Sequence, residues 1–151
     1  MMQVDAIKRG TYDRTIPVEV RNTFSGAMNC NGNGLCFNFD VKSPMCPSMK
    51  VTQSRFHSPK GRAGLVREWL RLLTEQGTDP ALLSRAVPQS RISLRGLIEK
   101  IGNTRRASRG EYDFSHEVKE SMSGCLACKA CSTQCPIKID VPEFRARFLA
   151  L

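Results

Sequence analysis

The 151-residue chain reads as an all-α domain with two cysteine-rich loops. Two observations predict it. Apolar residues recur at helical spacing between the cysteine groups, and a serine or aspartate followed by proline marks where helices begin. A third is negative: the only alternating pattern that suits a strand is the short stretch 16–20.

The first helix is capped by Ser58, with Pro59 at the first helical position, where its missing N–H costs nothing. Leu65, Trp69 and Leu72, with Val66, Leu70 and Leu73, then recur at helical spacing. Arg62, Arg67, Glu68 and Arg71 are expected on the outer side, and Gly77 ends the helix. The Leu65, Trp69 and Leu73 stripe is expected to pack against the cysteine loops. Asp79 and Pro80 repeat the device and predict a short helix over 81–87, stopped by Pro88. Ser90 or Ser93 opens a third, with Leu94, Leu97, Ile98 and Ile101 on one stripe as far as Gly102 and Asn103. The segment 105–110, RRASRG, reads as a basic loop, and a fourth short helix over 116–122 delivers the chain to Cys125. After Asp140, VPEFRARFLAL places Pro142 in a first turn and Phe144, Phe148 and Leu151 on one face. That stripe is expected to be unpaired, so 23–151 reads as a helical domain truncated at its C-terminus. The aperiodic residues 1–22 read as a linker from a missing upstream domain.

The most specific feature is CLACKACSTQCP, in which Cys125, Cys128, Cys131 and Cys135 are followed by Pro136. The spacing Cys-x2-Cys-x2-Cys-x3-Cys-Pro is an iron–sulfur signature. Its first three thiolates wrap one cubane, and the fourth typically ligates the other cluster of a two-cluster ferredoxin. A disulfide framework fits poorly, because the cysteine count of seven is odd and no secretory signal opens the sequence. Zinc is the serious rival, but a zinc ribbon separates its two Cys-x2-Cys pairs by a dozen or more residues, whereas these four cysteines fall within eleven positions.

If Cys135 serves a second cluster, the first needs a thiolate from elsewhere. Cys46 is followed by Pro47 and repeats the ending of the other group, so it is the natural fourth ligand beside Cys125, Cys128 and Cys131. Cys30 and Cys36 are left to partner Cys135. Two cubanes need eight thiolates, and CNGNGLC has Asn33 and glycines where a third cysteine would be expected. The second site is therefore open among a three-iron form, a cubane with a water or non-cysteine ligand, and no cluster at all. The glycines admit positive φ and close approach of the backbone.

With 40% hydrophobic residues the chain can bury one modest core, and no apolar run approaches the 18 or so residues of a membrane span. It is expected in the cytoplasm, possible association with the inner face of the membrane being left open. Lys and Arg outnumber Asp and Glu by 23 to 14, a net charge of +9. Such a charge lessens the cost of holding an anionic cluster. The alternative, a zinc-stabilised basic domain that binds other macromolecules or nucleic acid, lacks the interleaving of basic and aromatic residues usual at nucleic-acid surfaces.

Two segments, MCPSMKVTQSRFHSPKGRAGLVREWL from Met45 and SHEVKESMSGCLACKACSTQCPIKIDVPEFRARFL from Ser115, resemble the iron–sulfur region of large bacterial FAD-linked oxidases and dehydrogenases. The likeness is closest to the D-2-hydroxyglutarate dehydrogenase type, with its spread first group CNGNGLC followed by MCP. The resemblance implies an α-helical ferredoxin-like fold and 4Fe-4S chemistry. It also implies an FAD domain elsewhere in the same polypeptide, and a relay of single electrons from flavin to an acceptor such as a quinone or an electron-transfer protein. The substrate implied is a 2-hydroxy acid, D-2-hydroxyglutarate or D-lactate-like. No nucleic-acid partner is implied, and no residue of this chain is expected to be catalytic.

Among the remaining polar residues, Ser132, Thr133 and Gln134 can bond cluster sulfurs or serve as turn residues. Lys129 lies between ligands. His57 is expected to shape the entry to the first helix rather than to shuttle a proton, and His116 to start a helix without a chemical role.

Overall fold

The computed structural model describes residues 12–78 and 113–151, and among them the regular structure is entirely helical. The helices are α1 (Val18–Thr23), α2 (Ser25–Met28), α3 (Pro47–Thr52), α4 (Pro59–Glu75), α5 (Ser115–Ser123), α6 (Ala130–Gln134) and α7 (Val141–Ala150), joined by 3-10 turns at Tyr12–Thr15, Leu35–Phe37 and Arg55–His57. The stretch 16–20 is no strand: helix α1 begins at Val18. Ile16 and Val20, within the stretch read as a linker, turn into the core, while Val18 between them is exposed. The helices expected over 81–87 and from Ser90 or Ser93, and the basic loop 105–110, lie outside the described residues. Among those described, no helix is long and apolar enough to cross a membrane.

The longest of the described helices, α4, is the spine, with α2, α5 and α7 packed against it. Its start and stop follow from local chemistry. Ser58 Oγ accepts the N–H of Gly61 at 2.9 Å, and Pro59 occupies the first turn. At the other end Gly77 takes φ 74°, and its N–H donates to Thr74 O while that of Thr78 donates to Leu73 O. This is the paired closure that satisfies two orphan carbonyls. The 3-10 turn Arg55–His57 lies so close to the first turn of α4 that a Cβ on Gly61 would stand 2.0 Å from Arg55 O, so only glycine fits there.

Val66 and Leu70 are fully buried and Trp69 nearly so, while Leu65 and Leu73 pack at the margin of the core. The Trp69 ring meets Phe24, between α1 and α2, with centroids 6.2 Å apart, and Phe148 of α7 at 4.9 Å, both edge to face. Two expectations are thereby corrected. Trp69 packs on the α1–α2 corner and α7 rather than on the cysteine loops. The α7 stripe is not unpaired, since Phe144 and Phe148 are buried against α2 and α4; only Leu151 stays exposed, one residue past the helix.

The outer side assigned to α4 is corrected as well. Arg62 is 1% exposed, and Arg67 turns to pair with Asp13. Arg71 does take the outside, bridging Glu68 and Glu75.

Trp69→Ala empties the centre of the aromatic trio and should cost about 3–5 kcal/mol of unfolding free energy in a denaturant titration. An unchanged midpoint would show that the trio contributes little to the core.

Candidate metal centre

All seven cysteines are free thiols, and they divide between two recesses on either side of the first turn of α4. Cys46, Cys125, Cys128 and Cys131 line the first, a recess of about 310 Å³ including its mouth, together with Arg62, Lys129 and the apolar surfaces of Pro47, Leu126 and Val141. Cys30, Cys36 and Cys135 line the second, about 300 Å³, together with Asn31, Gly32, Asn33, Lys60 and Ile139. Pro59 forms part of both walls. Each recess thus draws cysteines from both groups.

Helix ends deliver the thiols. Cys46 immediately precedes α3, whose first residue is Pro47, and adopts φ 40°. Cys131 lies in the first turn of α6, and Cys135 ends that helix in extended conformation (ψ 129°), as a residue before proline prefers. The same Cys-Pro pair therefore opens a helix in one group and closes one in the other.

Two basic residues of α4 hold the loop that carries Cys30 and Cys36. Lys60 Nζ donates to Gly32 O (3.2 Å) and stands over the Phe37 ring, and Arg67 Nη1 donates to Cys30 O (3.2 Å). Arg62 goes the other way. Its Nε donates to Ser121 O in α5 (2.9 Å), its Nη2 to Ser48 Oγ (2.9 Å), and its Nη1 points at Cys46 Sγ, 3.7 Å away. Among the described residues no carboxylate pairs with it. A buried guanidinium is costly unless its N–H groups are paired, and these three contacts pair them; the third partner, Cys46 Sγ, also donates to His57 O at 3.5 Å. Sequence reasoning missed Arg62 because amphipathic patterning counts every charge as outward. The available signal was its place in SPKGRA, one residue after a glycine that closes the helix entry.

Burial pushes the Cys36 and Cys131 thiols above the usual cysteine range. For Cys131 the neighbouring Asp140, Cys125 and Cys128 act in the same direction. Thiolates at these positions therefore need positive charge close by, which irons would supply. The donor set fits sulfur-ligated iron. A cluster spreads its cysteines over separate irons, so thiols distributed around the walls of a recess can each reach one of them.

Other candidates resolve simply. Ser132 Oγ donates to Lys129 O and Thr133 Oγ1 to Ala130 O, so both hydroxyls serve the backbone of α6, while Gln134 is exposed. Lys129, largely exposed, lines the first recess and pairs with Asp140 at 3.6 Å. His57 sits in the turn before α4 with its ring edge to face with Phe56, lining neither recess. His116 is exposed near the start of α5.

Comparison with known families matches residues 26–139 to the 4Fe-4S dicluster domain. The chain belongs to that family. It is 72% identical over all 151 residues to a D-2-hydroxyglutarate dehydrogenase of Pantoea ananatis, covering 15% of that protein, and equally so to one of Escherichia coli. A Pseudomonas putida relative of the same name is 52% identical over 144 residues, 95% of this chain and 14% of the relative. The chain thus spans about 15% of the length of the first of these curated relatives. No solved structure matches it. Membership of the dicluster family assigns iron–sulfur chemistry to the chain, and its relatives are oxidoreductases by name.

Arg62→Met strands the buried Ser121 O, worth about 1–3 kcal/mol when left unsatisfied, and removes the donor to the half-buried Ser48 hydroxyl. Denaturant unfolding should show the loss, and Arg62→Lys should recover little of it, since an ammonium cannot span three partners. A wild-type midpoint in Arg62→Met would remove the guanidinium from this role.

Proposed function

We propose that the chain is the electron-transfer portion of a longer FAD-linked 2-hydroxy acid dehydrogenase of the D-2-hydroxyglutarate type. It takes electrons from a flavin domain of the same polypeptide and passes them singly to an acceptor, a quinone or an electron-transfer protein. Cys46, Cys125, Cys128 and Cys131 hold one cluster; Cys30, Cys36 and Cys135 hold the other. The observation that carries this reading is the division of seven thiols between two recesses that share the wall residue Pro59. Identity of 72% to dehydrogenases of that name supports the choice of parent enzyme.

Clusters held by these thiols would store one electron each, which would let a flavin reduced by two electrons pass them on singly. The chain's own residues prepare the sites for it. Arg62 sets a positive charge beside Cys46 in a dry pocket, so an added electron there is less costly. Met45, Ile139 and Val141 exclude water from the inner walls. Cys128 and Leu126 lie exposed at the rim of the first recess, leaving that edge open to a donor or acceptor. Unpaired cysteines suit a reducing compartment, so we place the protein in the cytoplasm.

Two measurements test the proposal. In the full-length protein prepared without oxygen, D-2-hydroxyglutarate should bleach the brown colour and raise the electron paramagnetic resonance of reduced clusters. Failure to reduce them, with iron and sulfide present, would sever the chain from that substrate. Cys128→Ser should lose or convert the signal of one cluster and lower stability, because ligand binding is coupled to folding. Full retention of iron and sulfide in that variant would sink the ligand assignment.

A further inference from the structure

The two cysteine loops follow one backbone plan. Cys30 and Cys36 stand six positions apart, as do Cys125 and Cys131. Counted from the first cysteine, the second and fourth residues after it are left-handed in both loops: Gly32 (φ 76°) and Gly34 (83°) in one, Ala127 (52°) and Lys129 (59°) in the other. The fourth residue is in each case a helix cap with ψ near zero, 1° at Gly34 and 7° at Lys129. A helical turn begins on the very next residue, Leu35 or Ala130. The closing cysteine is buried in both.

At the third residue after the first cysteine this plan has Cys128 in one loop and Asn33 in the other, and both are exposed. The first recess therefore has a thiol at every place in its loop, with Cys46 added. The second has Cys30, Cys36 and Cys135, with an amide at the remaining place. That amide oxygen is already engaged, since Asn33 Oδ1 accepts the N–H of Leu35 at 3.0 Å. The Lys60 ammonium is committed to Gly32 O. All seven cysteines of the sequence already line one recess or the other, so no thiol is left over.

We propose that the second recess binds its cluster through three cysteines only. The iron at the fourth corner, on the Asn33 side, is open to an external ligand, water or a small anion, and can be removed by oxidation. In that reaction a four-iron core of charge 2+ gives one electron to ferricyanide, which becomes ferrocyanide, and releases one Fe²⁺. A three-iron core of charge 1+ is left. The inference rests on the ligand assignment proposed above.

The test uses the full-length, cluster-loaded protein under anaerobic conditions, read by iron and sulfide content and by electron paramagnetic resonance. Ferricyanide should cost the wild type about one iron per chain and produce the signal of an oxidised three-iron cluster. Cyanide added to the reduced protein should shift one of the two cluster signals and leave the other. Asn33→Ala should behave as wild type. Asn33→Cys, at an exposed position, should complete the ligand set and abolish both responses.

A wild type with two clusters that yields no three-iron signal overturns the proposal. So does an Asn33→Cys variant that responds as wild type does. A wild type that resists the oxidant while Asn33→Ala yields to it would make Asn33 itself the ligand and close the corner. Iron and sulfide sufficient for a single cluster would instead remove the second ligand set, and this inference with it. The wild-type measurements need no variant, so a poorly folding substitution does not shield the proposal.

Discussion

Both recesses depend on how the chain enters α4, and that entry is closed around one buried cation. Arg62 reaches the start of α3 through Ser48 and Cys46, and the end of α5 through Ser121. Around it Ser121 Oγ donates to Phe56 O and Ser58 Oγ to Arg55 O, so the turn before α4 is tied to α4 and α5 by buried hydroxyls. Taking a guanidinium out of water costs several kcal/mol even after relaxation. Three hydrogen-bonding partners, Ser121 O, Ser48 Oγ and Cys46 Sγ, offset that cost, and they fix the guanidinium in the wall of the recess that Cys46, Cys125, Cys128 and Cys131 also line.

The SPKGRA segment shows why a short motif can be diagnostic without containing a ligand. Ser58 caps, Pro59 forms the partition between the recesses and Lys60 binds the first cysteine loop. Gly61 permits contact with the preceding turn, Arg62 lines the first recess and bonds across it to α3 and α5, and Ala63 is fully buried. Six consecutive residues thus carry six separate constraints, and the backbone hydrogen bonds of one helix turn hold them in register.

Much of this was legible in the sequence where the cause is local. The Ser58 cap, the Gly77 stop, the helix leading to Cys125 and the place of Pro142 in the first turn of α7 all rest on residues a few positions apart. The cysteines divide between the recesses as the two Cys-Pro pairs divide them, although one pair opens a helix and the other closes one. What could not be read is tertiary. Arg62 and Arg67 were placed outside because helical periodicity weighs charge against burial and knows nothing of a thiol or a backbone carbonyl waiting across the gap. Trp69 was aimed at the wrong neighbour because a stripe gives the buried face of a helix but not which element covers it.

The two loops also carry unequal conformational costs. Gly32 and Gly34 adopt positive φ freely, whereas Ala127 and Lys129 do so at about 1 kcal/mol or more each, and Cys46 and Lys138 add to the sum. Such strain persists only where surrounding structure over-determines it. With the ligand assignment above, the strained loop is the one with a full set of thiols, held additionally by Cys46 and by α6. The loop that lacks a thiol is built from glycines and held through its backbone by Lys60 and Arg67. A fully ligated loop can sustain strained residues, whereas a loop short of one ligand needs a backbone that is relaxed already. Because each recess borrows a cysteine from the other group, metal bound as proposed at one site would draw together the chain that forms the other. The two sites are expected to assemble as a single cooperative unit.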